Sequence, residues 1–332
     1  MATIKDVAKR AGVSIASVSR YFNNKALLSA DKCAAIENAV QELSYSPSSF
    51  GRGLRLSRSG KVLVLLPTMS NPIYQKVLSS IEEESVHYGI TVLTCATNND
   101  PYTERHLLQM LQNHYVDGAI FFASSLPAAE LNVLSRRYPL VQCIEFVRGA
   151  QLPSVSVDNQ IAACDAVEHL IACGHKRIAM ISGQRHYGST VEREEGYHDA
   201  LRHHGIAARK EYLVNTMYGY HSGMKAAAEL LALPEPPTAI FAVSDTIAIG
   251  AVKEALNRGM RVGRNGLAVV GFDDSTIASM YTPTLTSVHQ PRGQMGKMAV
   301  ELFMHRAETL RGSEPVRQVI LPHTLIRRQS TT

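Results

Sequence analysis

Apolar and polar positions along the chain fall into three regimes. In residues 1–45 apolar residues recur at helical spacing. Ile4, Val7, Ala8 and Ala11 sit at i, i+3, i+4 and i+7, one face of a short helix. Thr3 followed by Asp6 is a capping-box start, and Gly12 supplies permissive backbone at the other end. Ser14 is placed to cap a second helix, whose inner face is Val18 with Tyr21 or Phe22. That leaves Ile15, Ala16, Ser19 and Arg20 facing outward. After a loop, Ser29 opens a third helix with Ala35, Ile36, Ala39, Val40 and Leu43 as its stripe. The first two helices and their short turn have the form of a helix-turn-helix, whose second helix fits the DNA major groove. An ordinary helical hairpin shares the pattern.

Residues 46–60 are dominated by serine, glycine and arginine, a linker composition. Ser46 as N-cap and Pro47 at the first helical position nevertheless signal a short helix. Gly51 and Gly53 each weaken it by ~1 kcal/mol relative to alanine. The segment is expected to fold only against a partner.

From Lys61 the third regime begins. Val62-Leu63-Val64-Leu65-Leu66 is a continuous apolar run of the kind found in buried parallel strands. The periodicity then predicts helix 74–88, strand 91–95, helix 103–114, strand 118–122, helix 128–137 and strand 140–144. A second series follows: helix 161–172, strand 177–182, helices 193–203 and 222–231, strand 239–243, helix 247–258 and strand 268–272. A helix over 295–306 and closing strands 319–322 and 325–327 complete it. Such alternation implies an α/β fold, with a small all-α headpiece before a two-lobed core of doubly wound parallel sheets. Ligands of such cores bind at the carboxyl ends of the strands, between the lobes.

Charge sharpens the division. The chain of 332 residues carries +5 overall, but residues 1–61 hold ten Lys or Arg against four acids. That stretch is +6 and the remainder −1, the footprint of a protein touching phosphates at one end only. A hydrophobic fraction of 45% with 19% charged residues excludes a disordered chain. No apolar run reaches the ~18 residues that suggest a membrane span. The N-terminus lacks the apolar stretch of a secretory leader, so a cytoplasmic, nucleoid-associated protein is expected. The five cysteines (Cys33, Cys95, Cys143, Cys164 and Cys173) are scattered and lack CxxC spacing, which argues against disulfide or zinc roles.

Catalytic signatures are missing. Pro67-Thr68-Met69-Ser70 follows the first strand in place of GxGxxG, and the sequence contains no P-loop, HExxH or GxSxG. Thirteen histidines include pairs such as His203-His204, which read as surface residues at a helix end without carboxylates at metal spacing. No enzyme, metal or cofactor is expected. A periplasmic binding protein is contradicted by the absent leader and the basic headpiece.

These residues carry a family resemblance over essentially the whole chain. The matching stretches are Thr3 to Ala8, Gly12-Val13-Ser14 with Val18-Ser19-Arg20, and Leu43-x-Tyr45-x-Pro47. In the core they are Asn71-Pro72-x-Tyr74, Asp117-Gly118, Val157-Asp158-Asn159 and Gly174-His175-x-Arg177-Ile178. Arg193-x-x-Gly196-Tyr197, Ser244-Asp245, Val270-Gly271-Phe272-Asp273 and Gln290-Pro291 complete the set. Together they resemble the LacI/GalR family of bacterial transcriptional regulators. Leu233-Pro234-x-Pro236-Pro237-Thr238-Ala239, with Glu145-Phe146 and Leu152-Pro153, is most similar to the cytidine-repressor branch.

The resemblance implies a headpiece at 1–45, a hinge at 46–60 and an effector-binding core at 61–332. The core would have an N-lobe of about 61–160 and 291–321, and a C-lobe of about 161–290 and 322–332. It implies a homodimer, since the heptad helix of the family's tetramers does not follow Arg327. The implied partners are double-stranded operator DNA and a small-molecule effector (a nucleoside, sugar or related metabolite). The implied function is a repressor whose operator affinity the effector controls.

Carried over residue by residue, Ile15, Ala16 and Arg20 read operator bases. Arg20 bonds guanine or, alternatively, a phosphate. Thr3, Lys5, Ser14, Ser19, Asn23, Ser46, Arg52 and Arg55 join the DNA-binding set. Leu54 matches the leucine that family hinge helices wedge into the minor groove, while Gly51 departs from the family's alanine. In the cleft, Tyr74 stacks on a ligand ring or packs in the core. Arg193 binds hydroxyls or carboxylates, or else pairs with Glu192 or Glu195. Asp273 accepts two hydroxyls, with Asn71, Glu145, Ser244, Gln290 and Asp274 as further candidates. Arg148 matches an anionic effector or is a solvated loop residue.

Overall fold

A computed structural model of the chain describes residues 2–23, 25–45, 58–310 and 317–332. Two units emerge, residues 1–59 and residues 60–332. In the first, α1 (Ile4–Ala11), α2 (Ile15–Asn23) and α3 (Ala30–Glu42) enclose a small core of Val7, Ala8, Val18, Tyr21, Ile36 and Ala39. Both halves of the Thr3–Asp6 capping box are formed. Gly12 stands at φ 63°, a left-handed conformation that favours glycine, and ends α1 so that the chain turns into α2. The headpiece reads as expected because caps and helical periodicity are local signals. Ser29 is the exception: it precedes α3 without a side-chain capping bond.

The second unit contains two six-stranded sheets. Its first elements are β1 (Lys61–Leu66), α4 (Pro72–His87), β2 (Thr91–Ala96), α5 (Pro101–Gln112), β3 (Gly118–Phe121), α6 (Ala128–Ser135), β4 (Leu140–Cys143) and β5 (Ser154–Val157). Then come α7 (Asn159–Ala172), β6 (Ile178–Ser182), α8 (Gly188–His203), β7 (Leu213–Asn215), α9 (Tyr220–Leu231), β8 (Ala239–Ala242), α10 (Asp245–Asn257) and β9 (Ala268–Asp273). The last are α11 (Thr276–Met280), β10 (Thr286–His289), α12 (Arg292–Thr309), β11 (Gln318–Leu321) and β12 (Thr324–Ile326).

One sheet runs β11-β5-β4-β3-β1-β2 and is wholly parallel. The other runs β12-β10-β9-β8-β6-β7, parallel except where β12 pairs antiparallel with β10. The chain passes from one sheet to the other between β5 and α7, between β10 and α12, and between β11 and β12. The carboxyl ends of the parallel strands face the seam, and antiparallel β12 runs the other way. Helices cover both sheet faces with separate apolar clusters. Val77, Ile81, Met295 and Phe303 lie on one face of the first sheet, and Leu108, Leu111 and Leu131 on the other.

The periodicity reading omitted β5, β7, β10 and α11. Strand β5 alternates serine and valine, yet Ser154 and Ser156 are buried along with the valines, at 8% and 7% exposure against 1%. In β10 Thr286 and Ser287 are fully buried, because the Ser330 hydroxyl, the Arg328 carbonyl and Asp245 satisfy them. Hydropathy cannot register a polar strand whose partners come from distant residues. Helix α8 also starts at Gly188, not Arg193. Its first residues, Gly188-Ser189-Thr190, read as loop; position 188 takes a glycine because a Cβ there would meet Phe146 at 2.9 Å.

Candidate functional site

Two surfaces carry the candidate residues, one in each unit. On the headpiece, the cap that starts α2 sets which side chains face outward. The Ser17 N–H donates to Ser14 Oγ at 3.1 Å, and the two hydroxyls hydrogen-bond at 3.0 Å. Ile15 is then 46% exposed, Ala16 and Arg20 are exposed, and Ser19 is half-buried. An exposed isoleucine beside an exposed arginine suits an apolar and a polar contact to base edges. Lys5 is exposed on α1. Thr3 is engaged locally: its hydroxyl donates to Asp6 Oδ2 at 2.7 Å and its N–H to the same oxygen at 2.8 Å. Those bonds hold the Asp6 carboxyl below its ordinary value. Ser46, Arg52, Leu54 and Arg55, the hinge candidates, lie outside the described residues, as does the Asn23 side chain.

The second surface is a cavity of about 290 Å³ at the seam between the sheets. From the first sheet come Asn71 and Tyr74 at the start of α4, Asn98 and Asn99 after β2, and Ile144 and Glu145 after β4. From the second come Tyr187 and Arg193 of α8 and its cap, Tyr218 after β7, Thr246 in α10 and Asp273 ending β9. The backbone is strained at two of these strand ends. Ile144 sits at φ 78° and Asp273 at φ 112°, conformations that cost a non-glycine residue about 1–3 kcal/mol each. The strain re-aims each chain end so that Glu145 and Asp273 line the cavity instead of continuing the pleat.

Arg193 is the central cation, only 3% exposed. Its Nε and Nη2 donate to Asn159 Oδ1 at 3.0 and 2.9 Å, its Nη1 donates to the Val243 carbonyl at 2.6 Å, and its plane stacks on Phe272 at 3.5 Å. Neither Glu192 nor Glu195 pairs with it. Asn159 takes that place, and two of the five N–H donors are left for whatever occupies the cavity. Burial pushes the Asp273 and Glu145 carboxyls up, and the Arg193 charge pulls both back. Gln290 Nε2 donates to Asp273 Oδ1 at 2.8 Å, so Gln290 stands behind the cavity and orients the acid. Ser244 likewise does not line it: its hydroxyl accepts from the Ile247 N–H and caps α10. Tyr74 combines both expectations, packing its ring at 5.5 Å from Phe122 while lining the cavity. Burial raises its phenol, and that of Tyr218 to about 12, so both stay neutral donors.

The two walls touch directly. Tyr187 Oη donates to Asn99 Oδ1 at 2.7 Å, and the Ser189 N–H and hydroxyl donate to Glu145. Arg148 lies 3.7 Å from Glu195, an exposed pair worth little by itself. Asp274 points away from the cavity into a pair with Arg328 at 2.7 Å and His289 at 2.9 Å. The arrangement offers acidic acceptors, a guanidinium donor, amides and neutral phenols around one ligand-sized space.

Known proteins place this architecture. Residues 3–48 match the model of bacterial regulatory proteins of the lacI family, and residues 167–331 match a periplasmic binding protein-like domain. The transcriptional repressor CytR of Escherichia coli K12 is 34% identical over 310 residues, 92% of this chain and 90% of that protein. Catabolite control protein A of Priestia megaterium is 34% identical over 99% of both chains. The chain belongs to the LacI family. Among solved structures, the transcriptional regulator CelR in complex with cellobiose aligns over 99% of this chain and 100% of its own, with TM-score 0.74 and 28% identity. Helices 1–42 are thus the DNA-binding helix-turn-helix unit of a LacI-family transcriptional regulator, and its named relatives regulate transcription and are not enzymes.

Within this LacI-family core, sequence reasoning did not single out Tyr187, Tyr218, Asn98, Asn99 or Thr246. The one available signal was Asn98-Asn99 directly after a strand, since asparagine tolerates the left-handed φ of 53° and 58° found there. The tyrosines sit in loops without periodic context. His203 and His204, read as lacking carboxylates at metal spacing, are exposed, yet Glu168 Oε1 lies 3.7 Å from His203 Nδ1 and 3.9 Å from His204 Nε2. The missing carboxylate comes from another helix.

Proposed function

We propose that this protein is a repressor whose operator affinity is set by a small polyhydroxylated effector bound between the two sheets. The observation that supports it most is the joint presence of Arg193, Asp273 and Glu145 around a 290 Å³ space. Two carboxyls and a buried guanidinium each bind vicinal hydroxyls at two points, and the cavity has the lower end of the size range for small-molecule sites. A sugar reading draws support from the relative solved with cellobiose. A nucleoside reading draws it from Tyr74, Tyr187 and Tyr218, whose rings offer faces to a base.

Control follows from the walls. Glu145–Ser189 and Tyr187–Asn99 hold the lobes together across the cavity. An effector that competes for Glu145 or Asn99, or that bridges the same groups, favours one lobe arrangement over the other. Only that difference in affinity transmits a signal, and DNA must alter effector binding reciprocally. The DNA-bound form is a homodimer whose headpieces read a near-palindromic operator through Arg20, Ile15 and Ala16. Residues 46–60 form the hinge, with Leu54 wedged into the minor groove. A thermal-shift screen of nucleosides, purines, sugars and sugar acids, repeated on Arg193→Ala, tests the ligand class. A hit that stabilises the native chain and leaves Arg193→Ala unmoved is expected. No stabilisation by any polyol, or equal stabilisation of both proteins, would overturn the site.

A further inference from the structure

Outside the cleft lining, α7 and α8 lie side by side and bring together three kinds of metal-binding side chain. Cys164 and Glu168 are one turn apart on α7 and therefore share a face. His203 and His204 close the last turn of α8. Cys164 Sγ is 3.7 Å from Glu168 Oε1, and His203 Nδ1 is 3.7 Å from the same oxygen. The ligand atoms of Cys164, Glu168 and His203 all lie within 4.8 Å of one another. His204 Nε2 stands 3.9 Å from Glu168 Oε1 as a fourth donor.

These separations fit one cation class. A tetrahedral zinc with bonds of about 2.0–2.3 Å holds its ligand atoms roughly 3.3–3.8 Å apart. Two edges of the cluster already have that length, and exposed imidazoles close the others by side-chain rotation. Sulfur and imidazole donors select against magnesium and calcium, which take oxygen. The carboxylates of Asp165 and Asp199 act electrostatically on Cys164 and make the surroundings negative. They do not compete as ligands, since His323 bonds Asp165 and Arg202 bonds Asp199. His203 and Glu168 are both open to solvent, so an ion has an entry path.

We propose that Cys164, Glu168, His203 and His204 form a zinc site that ties α7 to the C-terminal end of α8. The consequence reaches the cleft, because the first turns of α8 carry Ser189 and Arg193 to its wall. Metal binding deprotonates the thiol and adds a crosslink to two helices already joined by packing and by the Gln160–Asp199 hydrogen bond, stabilising the folded lobe by mass action.

The test uses the full-length chain, stripped with chelator and titrated with zinc against a chromophoric competitor. One zinc per chain is expected, with affinity at least tenfold weaker in Cys164→Ser, a near-isosteric change, and in the His203→Ala/His204→Ala double variant, whose two positions are exposed. Cys173→Ser, which leaves the cluster intact, should bind as the native chain does. With cobalt in place of zinc, a thiolate-to-cobalt charge-transfer band should appear in the native chain and in Cys173→Ser, and be absent from Cys164→Ser. A native chain that binds no stoichiometric zinc, or Cys164→Ser and histidine variants that bind as well as native, would overturn the proposal.

Discussion

In the described headpiece, residues 2–45, the polar chemistry lies outside a thin core, whereas in the described residues from 60 onward it lies inside a thick one. The headpiece buries a handful of side chains, Val7, Val18 and Ile36 completely, and leaves Lys5, Ile15 and Arg20 in water. Its charges are exposed, even in the Arg10–Glu42 pair, and its backbone follows ordinary helical geometry. The cleft instead holds Arg193 and Asp273 almost wholly buried, with Ile144 and Asp273 at left-handed φ. A surface that reads DNA meets its partner with flexible, solvated side chains, because phosphate attraction supplies most of the affinity. A site that recognises a small neutral molecule has no such long-range help. It depends on donors and acceptors held in fixed positions before the ligand arrives, and burial and strain are the cost of fixing them.

The largest expected effect comes from breaking the buried side. Arg193→Ala removes a guanidinium that satisfies Asn159 and the Val243 carbonyl. It should destabilise the core by about 3 kcal/mol and abolish effector binding, as read by urea unfolding and calorimetry. The headpiece's operator contacts in the full-length chain should survive this change. The converse is Arg20→Ala. It should weaken the best operator by about 2 kcal/mol and relax one base position, while effector affinity stays at the native value. A loss that is uniform over sequences, as expected for Lys5→Ala, would reassign Arg20 to a phosphate.

How much of this was legible in the sequence follows the same divide. Caps, turns and helical stripes are local, so the headpiece could be read from Thr3, Asp6, Gly12, Ser14 and Val18. The apolar strands β1, β3, β8 and β9 were equally plain. Strands β5 and β10 were not, because Ser154, Ser156, Thr286 and Ser287 are buried by virtue of partners far away in the chain. In the cleft, Asn71, Tyr74, Glu145, Arg193 and Asp273 meet at one cavity, and the family motifs pointed to them. Tyr187 and Tyr218 reach it from loops that carry no pattern. Ser244 and Gln290 lie one layer behind, a distinction that spacing along the chain cannot make.

Smaller effects sharpen the contrast. Asp245 sits beneath the cleft, accepting hydrogen bonds from Ser287 Oγ at 2.5 Å and from Ser275 N and Oγ at 2.6 and 2.7 Å. Burial nevertheless raises its carboxyl to about 6. A raised acid binds its proton more tightly when folded, so its contribution to stability grows as pH falls through that value. Between pH 7 and 5 the native core should gain about 1 kcal/mol relative to Asp245→Asn in parallel unfolding titrations. The exposed side shows the opposite sign. The Asp6 carboxyl is lowered by Thr3, so the headpiece loses that support as pH drops through the lowered value. Thr3→Ala should cost the headpiece only about 0.5–1 kcal/mol, seen as helix fraying by circular dichroism, with the core's unfolding unchanged.

The central claim is that the inner site controls the outer one. An operator selected from random duplexes, titrated with the full-length chain in a mobility-shift assay at increasing effector, tests it most directly. The expected result is an operator affinity that changes at least fivefold as the cleft saturates, with Arg193→Ala fixed at one affinity throughout. An effector that demonstrably fills the cleft while operator affinity stays constant would contradict it.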